Sequence, residues 1–159
     1  MIQIKHKTTG EVLHEVAARN LEGARMNGML LRGAAFNKSV LNRAQFIGAD
    51  LEGADFARSS LASADFSDAN LLRTVFLGAS LMRAKLVKAD LGSANLRNAS
   101  LFQADLSGAN LEGAQLHGAD FDQADLTDAE LGGAVYDART RWPQGLDPLA
   151  RGAILANEG

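Results

Sequence analysis

The chain contains no cysteine, and its only two prolines, Pro143 and Pro148, lie close to the C-terminus. Without cysteine there can be no disulfide framework, no thiolate metal site and no thiol nucleophile, a composition that fits a reducing compartment. Aromatic residues are scarce: seven phenylalanines, Trp142 and Tyr136. No apolar run approaches the roughly 18 residues of a membrane-spanning helix. The opening Met1-Ile2-Gln3-Ile4-Lys5-His6-Lys7 leads into polar residues instead of the apolar stretch of a secretory signal. A soluble, unprocessed, cytoplasmic chain with no membrane contact is expected.

What is abundant is alanine and leucine, and they are ordered. A large apolar residue, nearly always Leu or Phe, occupies every fifth position from Leu21 to Tyr136, giving 24 units without a slip. Two residues before each of these centres stands Ala, the exceptions being Arg19, Met29, Ser39, Ser59 and Thr74. Length alone suggests one domain, and a period this short suggests a stacked array.

A period of five suits neither regular element. On a helix it rotates successive centres by about 140°, and on a continuous strand it sends alternate centres to opposite faces. The chain must therefore turn once per unit. Keeping the Ala, the next residue and the centre extended points Ala and centre the same way, and the two residues that follow make a corner. Glycine recurs at the second corner position, as at Gly23, Gly48, Gly78 and Gly108, where it tolerates unusual dihedrals. Three or four corners could close a coil. The phenylalanines favour four: with 20 residues per coil, Phe36, Phe56 and Phe76 stack on one face and Phe46 and Phe66 on the opposite one, whereas 15 residues per coil scatters them. The expected core runs through Leu31, Phe36, Phe46, Phe56, Phe66, Phe76, Leu86, Leu96, Leu106, Leu116 and Phe121. In so narrow a section, a polar or β-branched replacement of Ala84 or Ala94 is expected to cost as much as losing a leucine.

Runs such as Ala49-Asp50-Leu51-Glu52-Gly53-Ala54-Asp55-Phe56 and Ala104-Asp105-Leu106-Ser107-Gly108 resemble the bacterial pentapeptide-repeat family. The resemblance implies an all-β fold, a right-handed quadrilateral parallel β-helix with four units per coil, here about six coils. It covers residues 20–137. Residues 1–19 are expected to form a β-hairpin cap, with Lys7-Thr8-Thr9-Gly10 as its turn. Residues 138–159 are expected to form a C-terminal cap with Trp142 as a lid and a short helical turn near Asp147, since an uncapped solenoid exposes backbone edges and apolar rungs.

Charge is unevenly spread. Residues 1–97 carry 13 Lys/Arg against 9 Asp/Glu, while residues 98–138 carry no Lys or Arg against eight acids. The acids Asp105, Glu112, Asp120, Asp122, Asp125, Asp128 and Glu130 suggest a possible DNA-mimic surface, because the resemblance extends to proteins that protect DNA gyrase by imitating duplex DNA. About eight charges along roughly 10 Å compare with about six for B-DNA. The basic first half does not fit such a mimic. As a metal or acid/base site these carboxylates are poorly placed, since they occupy different outward positions of the repeat and so point from different faces. His6 and His14 could face each other across the hairpin; exposed hairpin residues are the better reading, and neither metal nor cofactor is expected.

Outward apolar residues form a third candidate. Met82 and Phe102 lie 20 residues apart, one above the other on a four-faced rod, beside Ser60, Ser80 and Ser100, and such a strip could bind a partner or a second copy of the chain. With no catalytic, phosphate-binding or metal motif, the sequence points to a non-catalytic structural scaffold or protein-interaction module. The alternative is a DNA-mimicking modulator of DNA gyrase. Direct nucleic-acid binding is disfavoured by charge, although Arg43, Arg83, Lys85 and Lys88 could form a weak basic patch.

Overall fold

The computed structural model describes residues 1–157. Through the repeat, the residue before each centre bridges in parallel to the residue twenty positions on, with a last step of twenty-one from Asp120 to Arg141, and this gives four ladders. Face 1 is Arg25–Gln45–Asp65–Lys85–Asp105–Asp125, and face 2 is Leu30–Asp50–Asn70–Asp90–Asn110–Glu130. Face 3 is Ala35–Asp55–Val75–Asn95–Gln115–Val135, and face 4 is Val40–Ser60–Ser80–Ser100–Asp120–Arg141. A twenty-residue step over five-residue units makes four units per coil. The fold is the right-handed quadrilateral β-helix, and no helix forms among the described residues.

Each corner follows from local chemistry. The carbonyl of the centre accepts the amide three residues on, as Leu41 does from Ala44 at 3.0 Å. The second corner residue has φ near +60°, the pattern of a type II turn. Glycine fills only ten of these positions; thirteen others, including Lys38, Arg43, Arg58, Arg83 and Lys88, adopt the same left-handed conformation. Each costs about 1 kcal/mol for its Cβ, and the ladder bonds and interior packing hold it there.

The remaining orphan at a corner is the amide of the first corner residue. Wherever Asp or Asn precedes the centre, its Oδ1 accepts that amide, as Asp55 does from Ala57 at 2.8 Å and Asn110 from Glu112 at 2.9 Å. These are Asx turns. Where no Asx precedes the centre, an asparagine one coil below can substitute: Asn27 accepts the Ile47 amide at 2.8 Å and Asn42 that of Ala62 at 3.0 Å.

The interior is solid. Leu31, Phe36, Phe46, Phe56, Phe66, Phe76, Leu86, Leu96, Leu106, Leu116 and Phe121 are all buried. Phe36, Phe56 and Phe76 stack at 4.9 and 5.2 Å, Phe46 and Phe66 at 5.0 Å, and the two columns meet edge to face at about 5.6 Å. The alanine positions are less strict than their regularity suggests. Thr74 is fully buried, with its hydroxyl donating to the Leu51 carbonyl at 2.9 Å, and buried Ser59 donates to Phe36 at 3.0 Å. A β-branched residue is therefore accommodated where its hydroxyl finds the carbonyl of the coil below, which revises the cost expected at Ala84 and Ala94.

At the N-terminal end, β1 (Ile2–Lys5) and β2 (Val12–Val16) form an antiparallel hairpin. Its backbone joins face 3, where the Lys7 amide donates to Gly33 and the Ala35 amide to Lys5, both at 2.8 Å, and Ile4 packs into the core. At the other end the rung pattern continues past Tyr136 with one extra residue. Thr140 is buried like an alanine position, Arg141 bridges Asp120, and Trp142 stacks on Phe121 at 5.1 Å. After β3 (Val135–Tyr136), the strand β4 (Ile154–Leu155) adds a last parallel rung on face 3. Arg151 covers the open end by donating to the carbonyls of Leu126 at 3.0 Å and Ala129 at 2.6 Å. The expected helical turn is two successive turns, closed by Arg151 onto Pro148 and by Gly152 onto Leu149, each at 3.1 Å, and does not become a helix.

Candidate interaction surfaces

Met82 and Phe102 lie in one column on the corner that follows face 4. The Ser63 amide donates to the Met82 carbonyl and the Arg83 amide to the Phe102 carbonyl, both at 2.9 Å. Ser60, Ser80 and Ser100 form the ladder beside them. Both apolar side chains are half-buried. The more exposed hydrophobic residues of the rod, Leu30, Val40 and Ile47, lie in its first turns, and their outward positions are readable from the repeat register.

The acids divide among three of the four faces. Asp105 and Asp125 stand on face 1, with Asp128 at its corner; Glu112 and Glu130 belong to face 2; Asp120 and Asp122 belong to face 4. Several have structural tasks that sequence reasoning missed. Asp105, Asp120 and Asp125 cap the amides of Ser107, Asp122 and Thr127 at 2.9–3.0 Å. The signal was present, because Asp and Asn alternate freely at the position before the centre, as a shared acceptor permits and a required charge does not. The tail also folds back on the acids: Arg141 pairs with Asp120 at 3.3 Å and Asp122 at 3.5 Å.

Asp137 closes the irregular coil. Its Oδ1 accepts the amides of Gly118 and Arg139, and its Oδ2 pairs with the Arg139 guanidinium at 2.9 Å. Desolvation pushes its pKa up, but the Arg139 side chain and the Gly118 and Arg139 amides outweigh this and hold it at about 2. Hydrogen bonds from Thr127 likewise lower the pKa of Asp125. Both shifts favour the charged form, opposite to what a general acid at neutral pH requires.

The histidines do not converge. His14 stands opposite Ile4 in the hairpin register, whereas His6 lies against Gly33 and accepts the Thr8 and Thr9 amides on Nδ1 at 3.2 Å. Among the described residues no group of His, Asp and Glu is arranged to hold a metal ion. No helix among them is long and apolar enough to cross a membrane. A shallow depression beside the C-terminal tail is lined by Asp125, Leu126, Thr127, Pro143, Leu146 and Arg151. Its charged groups are occupied, Asp125 by Thr127 and Arg151 by backbone carbonyls.

The pentapeptide-repeat family model matches residues 20–58, 59–98 and 99–135 in eight copies. The chain belongs to the pentapeptide-repeat family. Among solved structures, this pentapeptide-repeat protein is similar to alr5209, a member of the family from Nostoc PCC 7120. The two are 30% identical over 77% of this chain and 84% of that one, with a TM-score of 0.51. It also shares its fold with QnrB1, a plasmid-mediated fluoroquinolone resistance protein, at 18% identity over 87% of both chains and a TM-score of 0.51. No curated protein matches the chain.

Proposed function

We propose that this pentapeptide-repeat protein is a non-catalytic scaffold or interaction module of the bacterial cytoplasm, and that outward residues of its rod hold a protein partner. The observation that carries this reading is the filled interior. Centres from Met26 to Phe121 are at most 1% exposed, so the rod body has no cleft in which water could be excluded from a reaction. What remains for function is a rigid surface on which side chains repeat at about 4.8 Å per coil. Face-resolved crosslinking tests the reading. A photoreactive residue is placed in turn at Lys85, Asn70, Gln115 and Ser80, one on each face, in cells producing the protein. A discrete protein adduct from one face and not the others supports the module; no adduct from any face contradicts it.

The second reading, a DNA-mimicking modulator of DNA gyrase, is favoured by one observation. Glu112, Asp125, Asp128 and Glu130 are exposed and form no ion pair among the described residues. The basic residues that flank face 4 count against it.

A further inference from the structure

Face 4 differs from its neighbours in charge. Between Asn37 and Gln103, this face and its two flanking corners contain no Asp or Glu. They carry Lys38, Arg58 and Arg97 along one corner and Arg43 and Arg83 along the other. All five are exposed, and none makes an ion pair or side-chain hydrogen bond among the described residues. On face 2 the cations are used internally: Arg32 pairs with Asp50 and Glu52, and Arg73 also pairs with Glu52. The floor between the two cationic corners is the Ser60–Ser80–Ser100 ladder, whose small side chains let another backbone come close. Met82 and Phe102 stand along one margin as the apolar contact.

We infer that face 4, from Lys38 to Phe102, is a docking surface for an extended acidic peptide segment of another protein. The inference rests on the interaction-module reading and gives that module a partner chemistry. Complementarity of charge selects the occupant. Five uncompensated cations flank three ladder steps, about 14 Å at the spacing of adjacent strands, which matches four or five residues of extended chain. In such a segment alternate side chains point to opposite sides, so carboxylates reach both cationic corners while an apolar residue meets Met82 and Phe102. A second copy docked through the same face is a poor occupant, since it would bring a like-charged face against this one. A long polyanion such as nucleic acid would overrun the site onto the acidic end of the rod, where residues 98–138 carry no Lys or Arg.

The test is fluorescence anisotropy on the full chain, with a short labelled peptide of glutamates around one central leucine as probe and a labelled single-stranded oligonucleotide as competitor class. The peptide should bind in the range of tens of micromolar, weaken severalfold when salt is raised, and lose at least tenfold in affinity in the Arg58→Glu, Arg83→Glu double variant. It should bind normally to the Lys85→Glu, Lys88→Glu variant, which changes as many charges on face 1. Met82→Ala with Phe102→Ala should weaken leucine-containing peptide but leave polyglutamate unchanged. Equal loss in the face 1 variant, or no binding at any salt, overturns the inference. So does an oligonucleotide that binds more tightly than the peptide and responds to the same arginines. A crosslinked partner captured from another face would leave the module standing while this surface is discarded.

Discussion

Residues 36–76 and residues 86–116 are wound on the same backbone and differ in nearly everything placed on it. The first stretch fills two opposite interior columns with stacked phenylalanine; the second has leucine at every centre. Outside, the first carries the unpaired cations Lys38, Arg43 and Arg58, and the chain beyond Arg97 carries acids and no Lys or Arg until Arg139. The difference shows what the fold constrains: the volume that points inward, the left-handed corner and an acceptor for the corner amide. The chemistry of the remaining outward positions is unconstrained, and so is available for recognition.

Cutting into the two interiors should give the largest effects. Phe56→Ala removes a ring that stacks on Phe36 and Phe76 and meets Phe46 and Phe66 edge-on, and should cost about 4 kcal/mol, against about 3 for Leu96→Ala. Urea unfolding measures both, and equal losses would show that the aromatic columns add nothing beyond volume.

A milder probe asks whether the leucine stretch tolerates what Thr74 does in the phenylalanine stretch. Ala84→Thr should cost about 1 kcal/mol or less, because its hydroxyl would find the Leu61 carbonyl as Thr74 finds that of Leu51, while Ala84→Leu should cost about 1–3 from overpacking. A threonine as damaging as the leucine would restore the stricter expectation.

Charge and capping separate at Asp105. Asp105→Ala leaves the Ser107 amide without its acceptor and should cost about 1 kcal/mol, whereas Asp105→Asn keeps the acceptor and should be near neutral. The acid limb of a pH–stability profile examines the coil closed by Asp137. Its carboxyl titrates at about 2 in the folded chain, below about 3.9 when unfolded, so the unfolded state binds the proton first as pH falls. Its stabilisation is complete above about pH 4 and disappears as the pH falls through 2. Asp137→Asn should flatten that part of the profile; an unchanged acid limb would remove the assignment. The smallest effect belongs to Lys88→Gly: relief of the left-handed strain and the greater freedom of unfolded glycine nearly cancel, leaving a change within about 0.5 kcal/mol.

The repeat was legible because its signal is a spacing, and the spacing survives whatever occupies the outward positions. The phenylalanine register distinguishes four faces from three. The corner chemistry was less legible: glycine marks only some left-handed positions, and Lys38 or Arg83 carries no local sign that packing will hold it there. The Asx caps are hard to read because Asp105 and Asp125 look like surface charges, when Asn110 and Asn95 do the same work without one. The extra residue that sets Trp142 over Phe121 breaks the period, and a reading based on period stops where it breaks. The basic character of face 4 needed the columns first, since its arginines lie scattered from residue 43 to 97 in the sequence.

The most direct test of the central claim, that this rod is an interaction module and not a mimic of duplex DNA, is a DNA gyrase supercoiling assay, with and without a quinolone. The purified protein is titrated beside a variant in which Asp105, Asp120, Asp122 and Asp125 are all Asn. The three of these residues that cap corner amides keep an acceptor as Asn, so the variant should fold. If the rod is an interaction module, neither protein should inhibit or protect gyrase at tens of micromolar. Inhibition or protection by the wild-type chain that vanishes in the variant would contradict that claim and make the acidic coils the functional surface.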